Sequence, residues 1–167
     1  MQNAAVIFDE KLIANIMQSL KKRTIAYFDG EFGISVDDSD LDSFNLFDMT
    51  VIIAMTGGVV NLLVAFSFQD DLINALYERV TEGFCIQPDE VEMYREAAAG
   101  EVVNTILGHW TIDLQKLDQQ GIAMTPPVIL DRVNSIRHMK DAILRTQALN
   151  TPTGRMNIRL LGKVDKT

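Results

Sequence analysis

Glu101 and Asn104 stand three residues apart, so on a helix they share one face. A carboxylate offers charge; a carboxamide offers an N–H donor and a C=O acceptor to one water. Ala97, Ala98, Ala99 and Gly100 precede or adjoin the pair, and Gly108 follows it. Such small neighbours let another surface come close to both side chains. A further 22 residues separate Asn104 from Pro127. Other chemistry-bearing groups are sparser. Asp38, Asp40 and Asp42 begin like a calcium loop, but Ser43 and Met49 stand where such a loop needs Gly and Glu, so a solvated acidic loop is expected. His109 and His138 are the only histidines, and neither has a partner at metal-ligand spacing. His109 beside Trp110 reads as packing. The single cysteine, Cys85, rules out an intrachain disulfide and a thiolate quartet, and is expected as a small buried hydrophobe. No Gly-rich phosphate loop and no nucleophile elbow occurs in the sequence.

The chain has 167 residues, 47% of them hydrophobic and 23% charged, which is the composition of one globular domain with a real core. The eight methionines read as core filler. A net charge of −8 argues against nucleic acid, whose phosphates want clustered Lys and Arg, and against an anionic membrane surface. No basic segment followed by an apolar stretch and a small-residue cleavage site opens the sequence, so the cytoplasm is the expected compartment.

Several elements must position the pair. Leu12, Ile13, Ile16, Met17 and Leu20 repeat at helical spacing over 9–24, with Lys21, Lys22 and Arg23 at the end that favours cations. Residues 25–36 read as a short extended pair broken at Asp29-Gly30, and 37–48 as an acidic loop. From Met49 to Gln69 no residue is charged, a length that a membrane span would allow. The central Gly57-Gly58, the period-2 order on either side and the acidic flanks instead predict a buried hairpin turning at Thr56-Gly57-Gly58. A helix over 70–83 should carry Leu72, Ile73, Leu76 and Val80 inward and end at Gly83. The helix of Glu101 should run over 89–110, with Val102, Val103, Ile106, Leu107 and Trp110 on its apolar side. Residues 111–120 could extend it, with Ile112, Leu114 and Leu117 inward. Pro126-Pro127 forces an extended entry to Val128-Ile129-Leu130. Residues 142–161 read as a hairpin with its tip at 150–154, Met156, Ile158 and Leu160 buried, and Arg155, Asn157 and Arg159 solvated. The pattern of a helix before a hairpin recurs, which suggests two halves related by a pseudo-twofold. The expected architecture is therefore α/β of the α+β type, helices packed on a mostly antiparallel sheet, in one domain over 1–167.

The string Glu96-Ala-Ala-Ala-Gly-Glu-Val-Val-Asn-Thr-Ile-Leu-Gly-His-Trp110, with Pro127 at its offset, resembles the signature of the CheC/CheX/FliY family of chemotaxis phosphatases. That signature reads Asp or Ser, three residues, Glu, two residues, Asn, 22 residues, Pro; the chain matches at Glu101, Asn104 and Pro127 and departs at Ala97. The hairpin segments Met55-Thr-Gly-Gly58 and Val64-Ala-Phe-Ser-Phe68, and Ile122-Ala-Met-Thr-Pro-Pro-Val128, also look like family segments, so the likeness covers about 50–130. No second copy occurs in the first helix, where Glu10 has Ile13 three residues on and Asn15 has Leu12 three residues before. One copy places the resemblance on the CheX side.

The resemblance implies a phosphatase acting on the aspartyl phosphate of a CheY-like response-regulator receiver, in chemotaxis or related two-component signalling. Asn104 would orient the attacking water, Glu101 would meet the receiver's Lys, and Pro127 would be structural, with Gly57 and Gly58 shaping the hairpin. It also implies a homodimer. No metal or cofactor bound by this chain is expected, Mg²⁺ being carried by the receiver. An adaptor that binds a receiver or another signalling protein without catalysis is the competing expectation.

Overall fold

The computed structural model describes residues 4–39, 46–58, 60–117, 121–131 and 141–164. Among these residues, three α-helices pack on a seven-stranded antiparallel sheet: α1 (Ala4–Tyr27), β1 (Asp37–Asp38), β2 (Met49–Thr56), β3 (Val60–Phe68), α2 (Asp70–Val80), α3 (Val91–Gln115), β4 (Ala123–Met124), β5 (Val128–Asp131), β6 (Ile143–Thr151) and β7 (Gly154–Val164). The strand order is β1-β6-β7-β3-β2, with β4 and β5 both on the outer edge of β2. His138, Asp40 and Asp42 lie outside the described residues.

Period-2 alternation builds the core. Met49 faces Phe68, Val51 faces Phe66, Ile53 faces Val64 and Met55 faces Leu62, and all eight are buried. Met156, Ile158 and Leu160 of β7 continue these rows. Ile13, Ile16, Met17 and Leu20 of α1 close over them together with α2 and α3. The uncharged stretch is thus a hairpin, and among the described residues no helix is long and apolar enough to cross a membrane.

The two hairpins meet at the middle of the sheet through β3 and β7, and each edge is completed from the other half: β1 pairs with β6, and β5 with β2. Helix contacts follow the same exchange, α1 against β6 and α3 against β2 and β5. The order helix, short edge strand, hairpin is therefore read twice around the β3–β7 pair.

Five local expectations change. Residues 25–36 are not an extended pair: α1 continues to Tyr27 and closes in a single π turn, Phe28–Phe32, before Gly33 at φ 62°. Phe28 and Phe32 both enter the core, which a strand pair broken at Gly30 would not allow. Asp37–Asp38, expected in a loop, pairs with β6. The helix expected over 70–83 stops at Val80, which is exposed, and a turn through Gly83 at φ 85° follows. Cys85 is exposed rather than buried, because it lies in the connection between α2 and α3. The second face of the sheet is not uniformly solvated. Thr50, Ser67, Asn157 and Ala148 form one cross-strand row and all are buried. The chain entering β2 passes over this row, where the Phe47 N–H donates to Ser67 Oγ and Thr50 Oγ1 donates to the same oxygen.

Candidate functional site

α3 divides sharply into two faces. Ala98, Ala99, Val102, Val103, Ile106, Leu107, Trp110 and Leu114 are buried. Ala97, Glu101, Asn104 and Gly108 form one exposed stripe. Ile112, expected inward, falls on this stripe and is 58% exposed. Spacings of three and four residues put these positions in line.

The helix is held at both ends. Near its start Arg95 donates to Asp70 at 2.7 Å, tying it to α2, and to Glu92 at 2.7 Å. Near its end Arg23 of α1 makes a two-pronged pair with Asp113, at 2.7 and 2.9 Å. The Arg23 hydrogen bonds hold the Asp113 carboxyl below the usual carboxylate range, and the same bonds raise Arg23. Trp110 Nε1 donates to Ser19 Oγ at 3.1 Å, so the buried indole has its partner. A paired helix with a full apolar face is a stiff support for side chains on the other face.

Pro127 lies under this support. A Cβ added at Gly100 would come 3.6 Å from Pro127 Cγ and 3.3 Å from Ile129 Cδ1. Gly100 thus lets the β4–β5 segment pack on the helix one residue before Glu101. The segment is pinned by Thr125, whose N–H donates to Ala54 O at 2.9 Å and whose Oγ1 accepts from Ala54 N at 3.0 Å. Gly57 fixes the other end: at φ 101°, a Cβ there would lie 2.3 Å from Gly121 O. The hairpin turn therefore touches the chain that leads to Pro127, while Gly58 is half-buried beside it.

Glu101 Oε1 accepts a hydrogen bond from Thr105 Oγ1 at 3.3 Å. Ala97, one turn earlier on the same stripe, has no polar group to offer. Among the described residues Asn104 has no hydrogen-bond partner, so its carboxamide is free toward solvent. Tyr27 sits behind the pair, with its ring edge-on to Phe28, Phe32 and His109 at centroid distances of 6.2, 5.7 and 6.5 Å. Burial, with the Glu31 carboxylate adding to it, holds the Tyr27 phenol above its ordinary range. Among the described residues no three His, Cys, Asp or Glu side chains converge as a metal-holding group. The arrangement presents a carboxylate and a carboxamide to an approaching surface and surrounds them with small residues.

Sequence reading placed Glu101, Asn104, Ala97 and Pro127; the first three share the exposed stripe in the middle of α3, and Pro127 packs against the same helix at Gly100. It missed Tyr27, Thr105, Thr125 and Gly121, and it named Gly100 as a small neighbour of the pair without its contact to Pro127 and Ile129. Thr105 was open to discovery as the residue one turn after Glu101; Tyr27, Thr125 and Gly121 meet the site only through tertiary contacts.

Residues 49–144 match the family model described as chemotaxis phosphatase CheX. No curated protein sequence matches the chain. The fold is similar to that of chemotaxis protein CheX from Desulfovibrio desulfuricans, with TM-score 0.75 and 15% identity over 89% of this chain and 99% of that one. It is similar to CheX from Vibrio vulnificus, with TM-score 0.74 and 12% identity over 90% of this chain and 98% of that one. CheX of Borrelia burgdorferi, in a complex with CheY, BeF₃ and Mg²⁺, gives TM-score 0.67 and 13% identity over 88% of this chain and 97% of that one. With the family model matched over 49–144, more than half of its length, the chain belongs to the CheX family.

Proposed function

We propose that this chain is a phosphatase for the aspartyl phosphate of a CheY-like receiver domain. The observation that carries the reading is the exposed Asn104 carboxamide, without a hydrogen-bond partner among the described residues, next to Glu101 on the exposed stripe of a helix pinned at both ends. The CheX of Borrelia burgdorferi, similar in fold, was captured with CheY, BeF₃ and Mg²⁺, which supports a CheY-like partner.

Hydrolysis of an acyl phosphate needs a water in line with phosphorus and stabilisation of charge around the transferred group. Asn104 enters the receiver's site and holds that water through its C=O and N–H. The water oxygen bonds to phosphorus as the bond from phosphorus to the aspartyl oxygen breaks. The receiver's aspartate leaves as a carboxylate, and the water's proton departs with the inorganic phosphate or to solvent. Glu101 pairs with the receiver's Lys and docks the helix. The receiver's Mg²⁺ carries the remaining charge on the phosphoryl oxygens.

The test is decay of a phosphorylated CheY-like receiver with Mg²⁺ present, with and without this chain. Glu101→Ala should weaken binding by ~2–5 kcal/mol, the usual cost of truncating one partner of a desolvated charge pair. Binding to the phosphorylated receiver without faster decay would refute catalysis and leave an adaptor. The protein is further proposed to act as a homodimer, in keeping with CheX-like relatives. A single 18.7 kDa species in sedimentation at micromolar concentration would refute that.

A further inference from the structure

A solvent-facing helix side normally carries charged and polar residues. The exposed side of α3 does not follow that rule. Among its exposed residues from Met93 to Ile112, Glu101 is the only Asp, Glu, Lys or Arg. Met93 is 56% exposed, Tyr94 37% and Ile112 58%. Steps of three and four residues, 93-97-101-104-108-112, put Met93 and Ile112 at the two ends of the stripe that carries Glu101 and Asn104. Tyr94 stands beside Met93. The comparison is α1, a helix of 24 residues that packs on the same sheet, against 25 in α3. Among the described residues of α1, Lys11, Asn15, Gln18, Lys22 and Ala26 are exposed, and no large apolar side chain is. The exposed apolar ends therefore go with the Glu101–Asn104 pair rather than with helix-on-sheet packing.

We infer that Met93 and Ile112 are docking anchors that seat a folded receiver domain on α3, one at each end of the Glu101–Asn104 pair. The inference rests on the phosphatase reading above and says which residues determine affinity for a protein substrate.

The physical reason is that the middle of this surface is reserved for polar chemistry. A carboxylate paired with an ammonium in open water contributes little, and gains strength only where solvent is excluded. Glu101 and Asn104 therefore need neighbours that bury apolar area and keep water out. Ala97 and Gly108 are too small for that task, which leaves the residues beyond them. Met93 precedes Glu101 by eight positions, and Ile112 follows Asn104 by eight. With a helix rise of about 1.5 Å per residue, each anchor stands about 12 Å along the helix from the pair, and the two are about 28 Å apart. A disc of about that diameter covers ~600 Å², close to the ~800 Å² that each partner buries in a stable interface. A compact domain of about 100 residues has a radius of gyration of ~13 Å, so it is wide enough to meet both ends. A free acyl phosphate of a few atoms reaches neither. The anchors thus favour a phosphorylated domain over a small phosphodonor, through contacts remote from the reacting atoms.

The experiment measures binding of the parent chain and its variants to the CheY-like receivers of the source organism, each activated with beryllofluoride and Mg²⁺. Decay of the same receivers, phosphorylated with acetyl phosphate, is followed alongside. Met93→Ala and Ile112→Ala should each weaken binding and raise KM roughly threefold to tenfold, the scale of one or two methylenes withdrawn from a contact, and leave kcat within about twofold. The anchors are far apart, so the double variant should show roughly the product of the two losses. Met93→Leu and Ile112→Leu should each stay within about twofold of the parent, because they keep an apolar side chain of similar volume. Phe84→Ala is the control: Phe84 is 72% exposed but lies in the connection between α2 and α3, and its loss should not move KM. Melts followed by circular dichroism should stay within about 2 °C of the parent, since all three side chains are exposed. Unchanged affinity in the double variant, or a loss in Phe84→Ala as large as at the anchors, overturns the inference. A double variant that falls from a dimer to a single 18.7 kDa species gives the face to a second copy and also overturns it. A fall in kcat with KM unchanged overturns the anchors and leaves the phosphatase reading intact. Binding through the anchors to a receiver whose decay is not accelerated supports the inference and refutes the phosphatase reading alone. A parent that binds none of these receivers overturns both.

Discussion

Asn104→Ala should make the protein more stable and less active at once. Asn104 is exposed, and among the described residues it has no hydrogen-bond partner, so its truncation opens no cavity and strands no polar group. What remains is helix propensity, since Asn104 lies well inside α3, Val91–Gln115. Alanine is favoured over asparagine in a helix interior by roughly 0.5 kcal/mol, because asparagine's amide competes for the backbone and its rotamers are restricted. For a chain of this size, that corresponds to a rise in Tm of about 1–2 °C. The activity change should be far larger: removing a group that places the attacking water should cost at least about 100-fold in acceleration of receiver dephosphorylation. Urea melts followed by circular dichroism give the first quantity, and decay of the phosphorylated receiver gives the second. A destabilisation above about 1 kcal/mol would mean that Asn104 carries structure after all, since exposed substitutions stay within about 0.5 kcal/mol. Acceleration within about twofold of the parent would refute its role in the reaction.

Three other perturbations probe the support of the site. Ala97→Ser should leave dephosphorylation equal or higher, because it adds a hydroxyl one turn before Glu101 and removes nothing; a tenfold loss, equivalent to about 1.4 kcal/mol, would refute this view of the position. Asp113→Asn should destabilise by ~1–2 kcal/mol in urea melts, through loss of the charged two-pronged contact with Arg23. Since folding lowers the Asp113 pKa, the contact stabilises fully above the unfolded carboxyl value near about 4 and fades as pH falls through the lower folded value, so the parent should lose more stability than the variant on acidification. Gly57→Ala should cost ~2–4 kcal/mol by the shift in urea midpoint, because the added Cβ meets a backbone oxygen and the residue must hold a positive φ.

The sequence by itself determined the elements whose signal is periodic. The alternation from Met49 to Phe68 specifies a strand pair buried on one face, and the apolar residues from Val102 to Trp110 specify a helix with one free side. Glu101 and Asn104 were legible for the same reason: a spacing of three on a helix fixes a shared face whatever surrounds it. The order of strands was not legible, because β1 joins β6 and β5 joins β2, and each pairing spans segments far apart in the chain. The turn at 28–32 was hidden because Asp29-Gly30 carries a turn signal that is outweighed by the burial of Phe28 and Phe32. The burial of Asn157 was hidden too, since a polar residue on an alternating strand reads as solvated until a crossing segment covers it. Gly100 is a small helical residue in sequence; only the fold makes it the floor on which Pro127 and Ile129 rest. Local spacing chose the side chains that could react; packing between distant segments decided what holds them in place.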